Sequence, residues 1–176
     1  YPNSYASKLI SLLAESGVSV ITNPPDNSVL QGRHDDYPRR RGHTRIDQLQ
    51  DANITVGLGH DSIVDPWYHY GKGDPLDAAY ILVHYAHMSG YDDVSVIWDM
   101  LTTANSDIFG CKNYGLEPGS EGSLVVYDSF SAFDTLRLRP PRRLVLKEGT
   151  PVARTRPSET TVLQGDERTT IDFQRS

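Results

Sequence analysis

The chain has 176 residues, which allows one domain with a small appendage and is too short for a complete eight-stranded α/β barrel, a fold of about 250 residues. Hydrophobic residues make up 38% and charged residues 23% of the chain, so it can bury a core and has neither a membrane-spanning nor a disordered composition. The chain has 17 Lys and Arg residues and 23 Asp and Glu residues, which gives a net charge of −6. This charge argues against nucleic acid or an anionic membrane as partner and favours a neutral small molecule.

The first half of the sequence predicts helices that alternate with short strands. Apolar residues at helical spacing predict a helix over residues 7–16 that Gly17 ends. A β-branched run over residues 18–22 predicts a buried strand, which Asn23-Pro24-Pro25 ends and which leads into a long polar loop. A second helix and strand are predicted over residues 45–51 and 54–58. This order is typical of a parallel α/β sheet, in which chemistry takes place at the carboxyl ends of the strands.

The second half changes in character after Gly115. Before that residue, helices are predicted over residues 75–89 and from about 94 to 108. After it, glycine and proline turns separate three predicted strands, with a hairpin turn at 147–150: 124–127, 143–146 and 152–155. The polar segment from about residue 157 has little pattern, and we expect it to be loosely ordered.

Asp61 is the leading candidate for chemistry because it follows the second predicted strand directly, in Gly59-His60-Asp61-Ser62. A carboxylate in this position can ligate a divalent ion through one oxygen and accept a proton through the other. The same pattern also fits an aspartate that caps a following helix. His60 fits either a second ligand or a residue with a structural hydrogen bond, and the residues alone leave these alternatives open.

Other side chains have both a functional and a structural interpretation. His84 and His87 are spaced to share a helix face and chelate a metal, but such a pair without a nearby Glu is more often packed or at the surface. Trp67 can stack on a flat ring or simply pack in a core. Two arginine clusters are interpreted as solvated or subunit-contact faces: Arg39, Arg40 and Arg41, and Arg137, Arg139, Arg142 and Arg143.

Cys111 is the only cysteine, which excludes an internal disulfide and suits a reducing compartment. It has no histidine partner in a nucleophile signature, so we interpret it as structural. The sequence shows no signal peptide and no apolar run of about 18 residues, so we expect a cytoplasmic protein.

A set of ordered motifs resembles the cytosine deaminases of the amidohydrolase superfamily, and the resemblance covers residues 1–155. The combination is more specific than any of its parts. The motifs are Asn23-Pro24, Leu30-Gln31-Gly32-Arg33, Tyr37-Pro38-Arg39-Arg40-Arg41-Gly42, Gly59-His60-Asp61-Ser62 and Asp65-Pro66-Trp67-Tyr68.

The resemblance implies an α/β fold made from part of a (β/α)₈ TIM-type barrel. Residues 1–114 are expected to form its last strands and helices, with the predicted strands as the seventh and eighth. Residues 115–156 are expected to form the C-terminal strands of a small β-sandwich, and residues 157–176 a polar tail. Since the sequence begins with Tyr1 rather than Met, we expect the carboxyl-terminal portion of a longer chain.

The resemblance also implies a reaction, the conversion of cytosine and water to uracil and ammonia in pyrimidine salvage. Asp61 then matches a ligand of Zn²⁺ or Fe²⁺ that also shuttles a proton, and Trp67 matches an aromatic residue that lines the pyrimidine site. Ser62 lies beside the substrate, where some members carry a second aspartate, so the choice of ring can differ. The alternatives are a related amidohydrolase acting on isocytosine, creatinine or a triazine, and a non-catalytic module that pairs with a separate N-terminal half.

The remaining ligands of the family are expected upstream of Tyr1: a His-x-His pair, a further metal-binding histidine with a catalytic glutamate, and another histidine. One aspartate cannot hold a metal ion by itself. We therefore expect the chain to be inactive alone, to need the missing N-terminal barrel segment as partner, and to form a homo-oligomer when complete.

Overall fold

A computed structural model describes residues 2–156 and 158–170. The contacts between residues divide the chain into two compact units, Tyr1–Cys111 and Lys112–Ser176. Within the described residues, no helix combines the length and apolar character needed to cross a bilayer.

The first unit alternates helices with two short parallel strands, as the sequence predicts. Its elements are α1 (Asn3–Ser16), β1 (Val20–Thr22), α2 (Pro24–Leu30), α3 (Ile46–Asp51), β2 (Val56–Leu58), α4 (Pro75–Tyr85), α5 (Tyr91–Leu101) and α6 (Thr103–Phe109). Val20 pairs with Val56 and Thr22 with Leu58, so both strands end at the same edge. Residues that follow Thr22 and Leu58 therefore lie close together.

The core of this unit lies where α4 and α5 pack against β2. Its fully buried side chains include Val56, Leu76, Leu82, Ile97 and Met100. Burying an aliphatic side chain of this size contributes about 1.5–3 kcal/mol, so this cluster holds β2 in place.

Helix α6 packs closely on β2 because Gly57 has no side chain. A Cβ at Gly57 would lie 2.2 Å from Asn105 Oδ1, and the Asn105 side-chain amide donates a hydrogen bond to the Leu58 carbonyl at 2.8 Å. The glycine and the amide together fix the carboxyl end of β2.

Helix α1 ends at Gly17, which has the left-handed φ of 68° that favours glycine. Its apolar stripe is largely uncovered: Ala6 is buried, whereas Tyr5, Leu9 and Leu12 are exposed. The apolar stripe of an amphipathic helix is normally buried against another element. Helix α1 therefore presents a surface suited to further packing.

Three helices differ from the sequence-based expectations. The helix expected over 94–108 is broken at Thr102, whose φ and ψ of −118° and −85° are not helical. The helix expected to reach residue 89 ends at Tyr85. Helix α2 begins at Pro24, where a loop was expected, because proline fits the first turn of a helix and needs no amide hydrogen there.

The second unit contains β3 (Leu124–Tyr127), α7 (Ala132–Leu138), β4 (Arg142–Lys147) and β5 (Thr150–Arg154). The three strands form an antiparallel sheet in the order β3-β4-β5. Glu148 and Gly149 form the predicted hairpin turn with φ values of 49° and 72°. Helix α7 was not predicted; the Ser131 side chain accepts a hydrogen bond from the Asp134 amide and caps its start.

The segment expected to be loosely ordered contains a second hairpin, of β6 (Thr161–Gln164) and β7 (Glu167–Thr170). Gly165, with a φ of 64°, supplies the turn between two strands rich in threonine and β-branched residues. Residues 157 and 171–176 of this segment lie outside the described residues. The division into barrel, sandwich and tail at residues 114 and 156 stays a prediction.

Candidate active site

The candidate site lies at the shared carboxyl edge of β1 and β2. The Gly59 amide donates a hydrogen bond to the Thr22 carbonyl at 2.9 Å, which continues the pairing of the strands beyond their ends. A Cβ at Gly59 would lie 2.3 Å from Asn23 Oδ1, so a side chain at this position would displace the Asn23 side chain. The start of α2 after β1 and the loop after β2 are thus held side by side.

The side chains of Asp26, in the first turn of α2, and Ser62, in the loop after β2, connect these two segments. Asp26 is only 6% exposed, and Ser62 Oγ donates a hydrogen bond to its Oδ2 at 3.3 Å. Asp26 Oδ1 has no hydrogen-bond partner among the described residues. Burial, followed by the negative charge of Asp61, raises the pKa of Asp26 above its usual value.

Sequence reasoning missed Asp26 because the preceding Asn-Pro-Pro was interpreted as the start of a loop. Asp26 lies within a few residues of the carboxyl end of the first strand, where chemistry is expected in a parallel sheet, and this position was a usable signal. A buried carboxylate oxygen without a hydrogen-bond partner costs about 1–3 kcal/mol of folding free energy, so Asp26 destabilises this edge of the sheet.

Asp61 is exposed and has a left-handed φ of 65°. It caps no helix among the described residues: the next helix is α4, and Asp74 caps that helix by accepting a hydrogen bond from the Leu76 amide at 3.0 Å. The helix-capping alternative for Asp61 is therefore wrong. Its carboxylate is free to meet a ligand at the strand edge.

Of the two expected roles of His60, a metal ligand or a residue with a structural hydrogen bond, the structure shows the hydrogen bond. Its ring nitrogen Nδ1 lies 2.8 Å from the Ser62 carbonyl oxygen, and because a carbonyl only accepts, Nδ1 carries the hydrogen. The ring also packs edge-on against Tyr68, with ring centroids 5.9 Å apart.

The aromatic loop that follows is ordered by Asp65. Asp65 Oδ1 accepts hydrogen bonds from the Trp67 amide at 2.8 Å and the Tyr68 amide at 2.9 Å. The Tyr68 amide, followed by Ser62, lowers the pKa of Asp65. Tyr68 is buried, but Trp67 is 67% exposed, so core packing does not explain Trp67 in the described part of the chain.

The described residues do not form a metal centre. Residues 2–156 and 158–170 contain no group of three or more His, Cys, Asp or Glu side chains that could hold an ion. His84 Nδ1 is bonded to the Tyr80 carbonyl at 2.8 Å, and His87 lies beyond the end of α4. The exposed Asp61 carboxylate has the right donor chemistry for one ligand, and the part of the chain that the structure describes supplies no complete set.

Two arginines of the first cluster, Arg39 and Arg40, contact nearby side chains. Arg40 forms a bidentate pair with Asp35, both contacts at 2.6 Å, and its hydrogen bond lowers the pKa of Asp35 to about 2. Arg39 lies over the Tyr37 ring at 5.3 Å. These contacts are at the surface, as expected for a solvated face.

Comparison with protein families places this architecture in a known class. A model of the amidohydrolase family matches residues 2–165, nearly the whole chain, so the protein belongs to that family. Members of the family are generally metal-dependent.

Three known proteins have similar sequences or structures. The crystal structure of 5-methylcytosine deaminase from Klebsiella pneumoniae with bound 5-fluorocytosine has a TM-score of 0.83 and 34% identity over 90% of this chain and 38% of its own. N-isopropylammelide isopropyl amidohydrolase of Pseudomonas sp. (strain ADP) is 28% identical over 84% of this chain and 34% of its own. Pterin deaminase of Rhizobium rhizogenes (strain K84 / ATCC BAA-868) is 29% identical over 86% of this chain and 35% of its own.

The likeness to 5-methylcytosine deaminase confirms the resemblance to cytosine deaminases found in the sequence motifs. The chain spans a little over a third of the length of these relatives.

Proposed function

We propose that this chain is the carboxyl-terminal part of a metal-dependent hydrolase that releases ammonia from an amino-substituted nitrogen heterocycle. The leading reaction is the conversion of cytosine and water to uracil and ammonia, in pyrimidine salvage. The observation that carries this proposal is the exposed Asp61 carboxylate at a parallel-strand edge, in a chain 34% identical to a 5-methylcytosine deaminase.

The exposed apolar surfaces of the first unit support its expected place in a (β/α)₈ barrel. A pair of parallel strands leaves two unpaired edges, and Ile21 in β1 is 37% exposed. The apolar stripe of α1 is also uncovered. We propose that β1 and β2 are the last two strands of a (β/α)₈ barrel, and that the preceding barrel segment covers these surfaces in a homo-oligomeric enzyme.

The residues of the edge have distinct proposed roles. A divalent ion, Zn²⁺ or Fe²⁺, would polarise the water that attacks the ring, and Asp61 would supply one of its ligands. Asp61 would also accept the proton from that water and pass it toward the departing amine. Trp67 would stack its exposed indole on the flat ring, and Ser62 would lie beside the ring and influence which substituents fit.

A second candidate is hydrolysis of a carbon–nitrogen bond on a triazine. The similarity to N-isopropylammelide isopropyl amidohydrolase favours it, at a slightly lower identity. Competition kinetics with cytosine, isocytosine, creatinine and a triazine would separate the candidates, because the ratio of the kcat/KM values shows which ring the enzyme prefers.

The test is ammonia release by the complete zinc- or iron-loaded enzyme and, in parallel, by the 176-residue chain alone. The complete enzyme should release ammonia from cytosine, and the chain alone should not. Ammonia release by the chain alone would contradict the proposal that its site is incomplete. A complete enzyme that releases neither ammonia nor an alkylamine from any of the rings would support a non-catalytic module instead.

A further inference from the structure

Asp61 has a backbone conformation that its neighbours help to maintain. Its φ of 65° lies in the left-handed region, which aspartate adopts more readily than most residues but which still costs more than a helical or extended conformation. The Asp61 side chain is exposed, so it is not itself packed in place. The adjoining residues His60 and Ser62 are the ones that can fix its geometry.

The first restraint comes from His60. Its Nδ1–H donates to the Ser62 carbonyl at 2.8 Å, so this hydrogen bond spans Asp61. The ring is itself confined, since it packs on buried Tyr68 and a Cβ at Gly71 would lie only 2.6 Å from His60 Cε1. A confined ring can hold the loop in one conformation.

The second restraint comes from Asp26, which reaches Ser62 from the first turn of helix α2. The Ser62 hydroxyl donates to Asp26 Oδ2, and both side chains are buried. Asp26 Oδ1 lacks a partner among the described residues, so this carboxylate weakens the fold relative to a well-packed apolar residue. A residue that destabilises the fold at the edge of a candidate site is typical of a residue kept for function at a cost in stability.

We propose that His60 and Asp26 are positioning residues that hold Ser62 from two sides and thereby fix the direction of the Asp61 carboxylate. The role of that carboxylate rests on the proposed function, and neither positioning residue needs to touch the ring. Fixing a catalytic group before the substrate arrives favours the chemical step more than substrate binding.

The first test is hydrogen exchange of the Gly59 and Gly71 amides in the 176-residue chain, because these amides flank the loop and donate hydrogen bonds to the Thr22 and Ile63 carbonyls, both at 2.9 Å. His60→Ala and Asp26→Ala should each speed this exchange about tenfold, because each removes one restraint on the loop. His60→Asn keeps an N–H donor and Asp26→Asn keeps an acceptor, so both should exchange more slowly than the alanine variants. Ser28→Ala is the matched control, since the Ser28 hydroxyl donates a hydrogen bond to the Pro25 carbonyl within α2, at 2.9 Å, and forms no hydrogen bond with the loop after β2 in the described part of the chain. Exchange in this variant should stay as in the unmodified chain.

The second test compares kinetics and thermal stability in the complete enzyme. His60→Ala and Asp26→Ala should each lower kcat about tenfold with KM changed less than about twofold, and the asparagine variants should restore part of kcat. Tm should not fall in proportion to kcat.

Two results would overturn the inference. One is unchanged amide exchange in both alanine variants. The other is a loss of kcat that follows the loss of Tm and that asparagine does not relieve. If the unmodified complete enzyme deaminates no ring, the proposed function fails, and the exchange measurement still decides whether the loop is held as proposed.

Discussion

At the scale of single residues, the strand edge combines an exposed carboxylate with a buried one. Asp61 follows β2 and faces solvent, whereas Asp26 follows β1 and is buried against Ser62. Because the two environments differ, the two carboxylates are suited to different tasks. The exposed one can bind a ligand, and the buried one can organise the loop.

Replacing the exposed carboxylate should remove activity without harming the fold. In the complete enzyme, Asp61→Ala should lower kcat about 10³-fold or more, because a ligand and a proton acceptor are lost together. The matched control is Asp51→Ala, an exposed aspartate at the end of α3, which should keep kcat within about twofold. Ammonia release measures both, and near-normal activity of Asp61→Ala would show that its assigned role is wrong.

The buried carboxylate should make stability depend on pH. Burial and the charges of Asp61 and Asp65 raise the pKa of Asp26, while Ser62 and His60 oppose the shift. A raised folded-state pKa means that Asp26 destabilises the fold above that pKa, and that the penalty disappears as pH falls toward the ordinary value of 3.8.

Asp26→Asn should therefore raise the unfolding free energy of the chain by about 1 kcal/mol at pH 7, with a smaller gain near pH 4. Urea unfolding at the two pH values measures the difference. A gain that grows as the solution is acidified would contradict the assigned direction of the pKa.

At the scale of secondary-structure elements, the first unit has one well-covered layer and one uncovered helix. Helices α4 and α5 enclose β2, and Leu82 is fully buried there. Helix α1 instead leaves Leu9 and Leu12 exposed. The contrast follows from packing, since the hydrophobic face of a helix contributes stability only where another element covers it.

Two leucines test this contrast. In the 176-residue chain, Leu82→Ala should cost about 2–5 kcal/mol of unfolding free energy because it opens a cavity, whereas Leu12→Ala should change it by less than about 0.5 kcal/mol. In the complete enzyme, Leu12→Ala should become clearly destabilising if the preceding barrel segment covers α1. Denaturant unfolding of both proteins measures these changes, and an equally small effect of Leu12→Ala in the complete enzyme would contradict that packing.

At the scale of the whole molecule, the sequence predicted the alternation of the first unit because apolar periodicity and glycine stops mark α1, β1, α3 and β2 directly. It did not predict α2, since proline is ambiguous between a loop and a helix start. The break at Thr102 was missed because it depends on backbone geometry that composition does not encode. The β6–β7 hairpin was missed because the polar composition of the segment obscured the signal of Gly165 between two segments with β-branched residues.

The candidate site was predictable only in part. Asp61 could be singled out because it directly follows an apolar strand. Asp26 could not be assigned, because its partner Ser62 lies 36 residues away in sequence and only the parallel pairing of β1 with β2 brings them together. The roles of Asp61, Ser62 and Trp67 stay predictions, since the described chain brings no complete set of metal ligands to this edge.

The most direct measurement is a crystal structure of the complete enzyme with its divalent ion. The proposal predicts an Asp61 carboxylate oxygen about 2.0–2.2 Å from the ion, with histidines from the preceding polypeptide in the other positions. An ion bound entirely by other residues, with the Asp61 carboxylate several ångströms away, would contradict it.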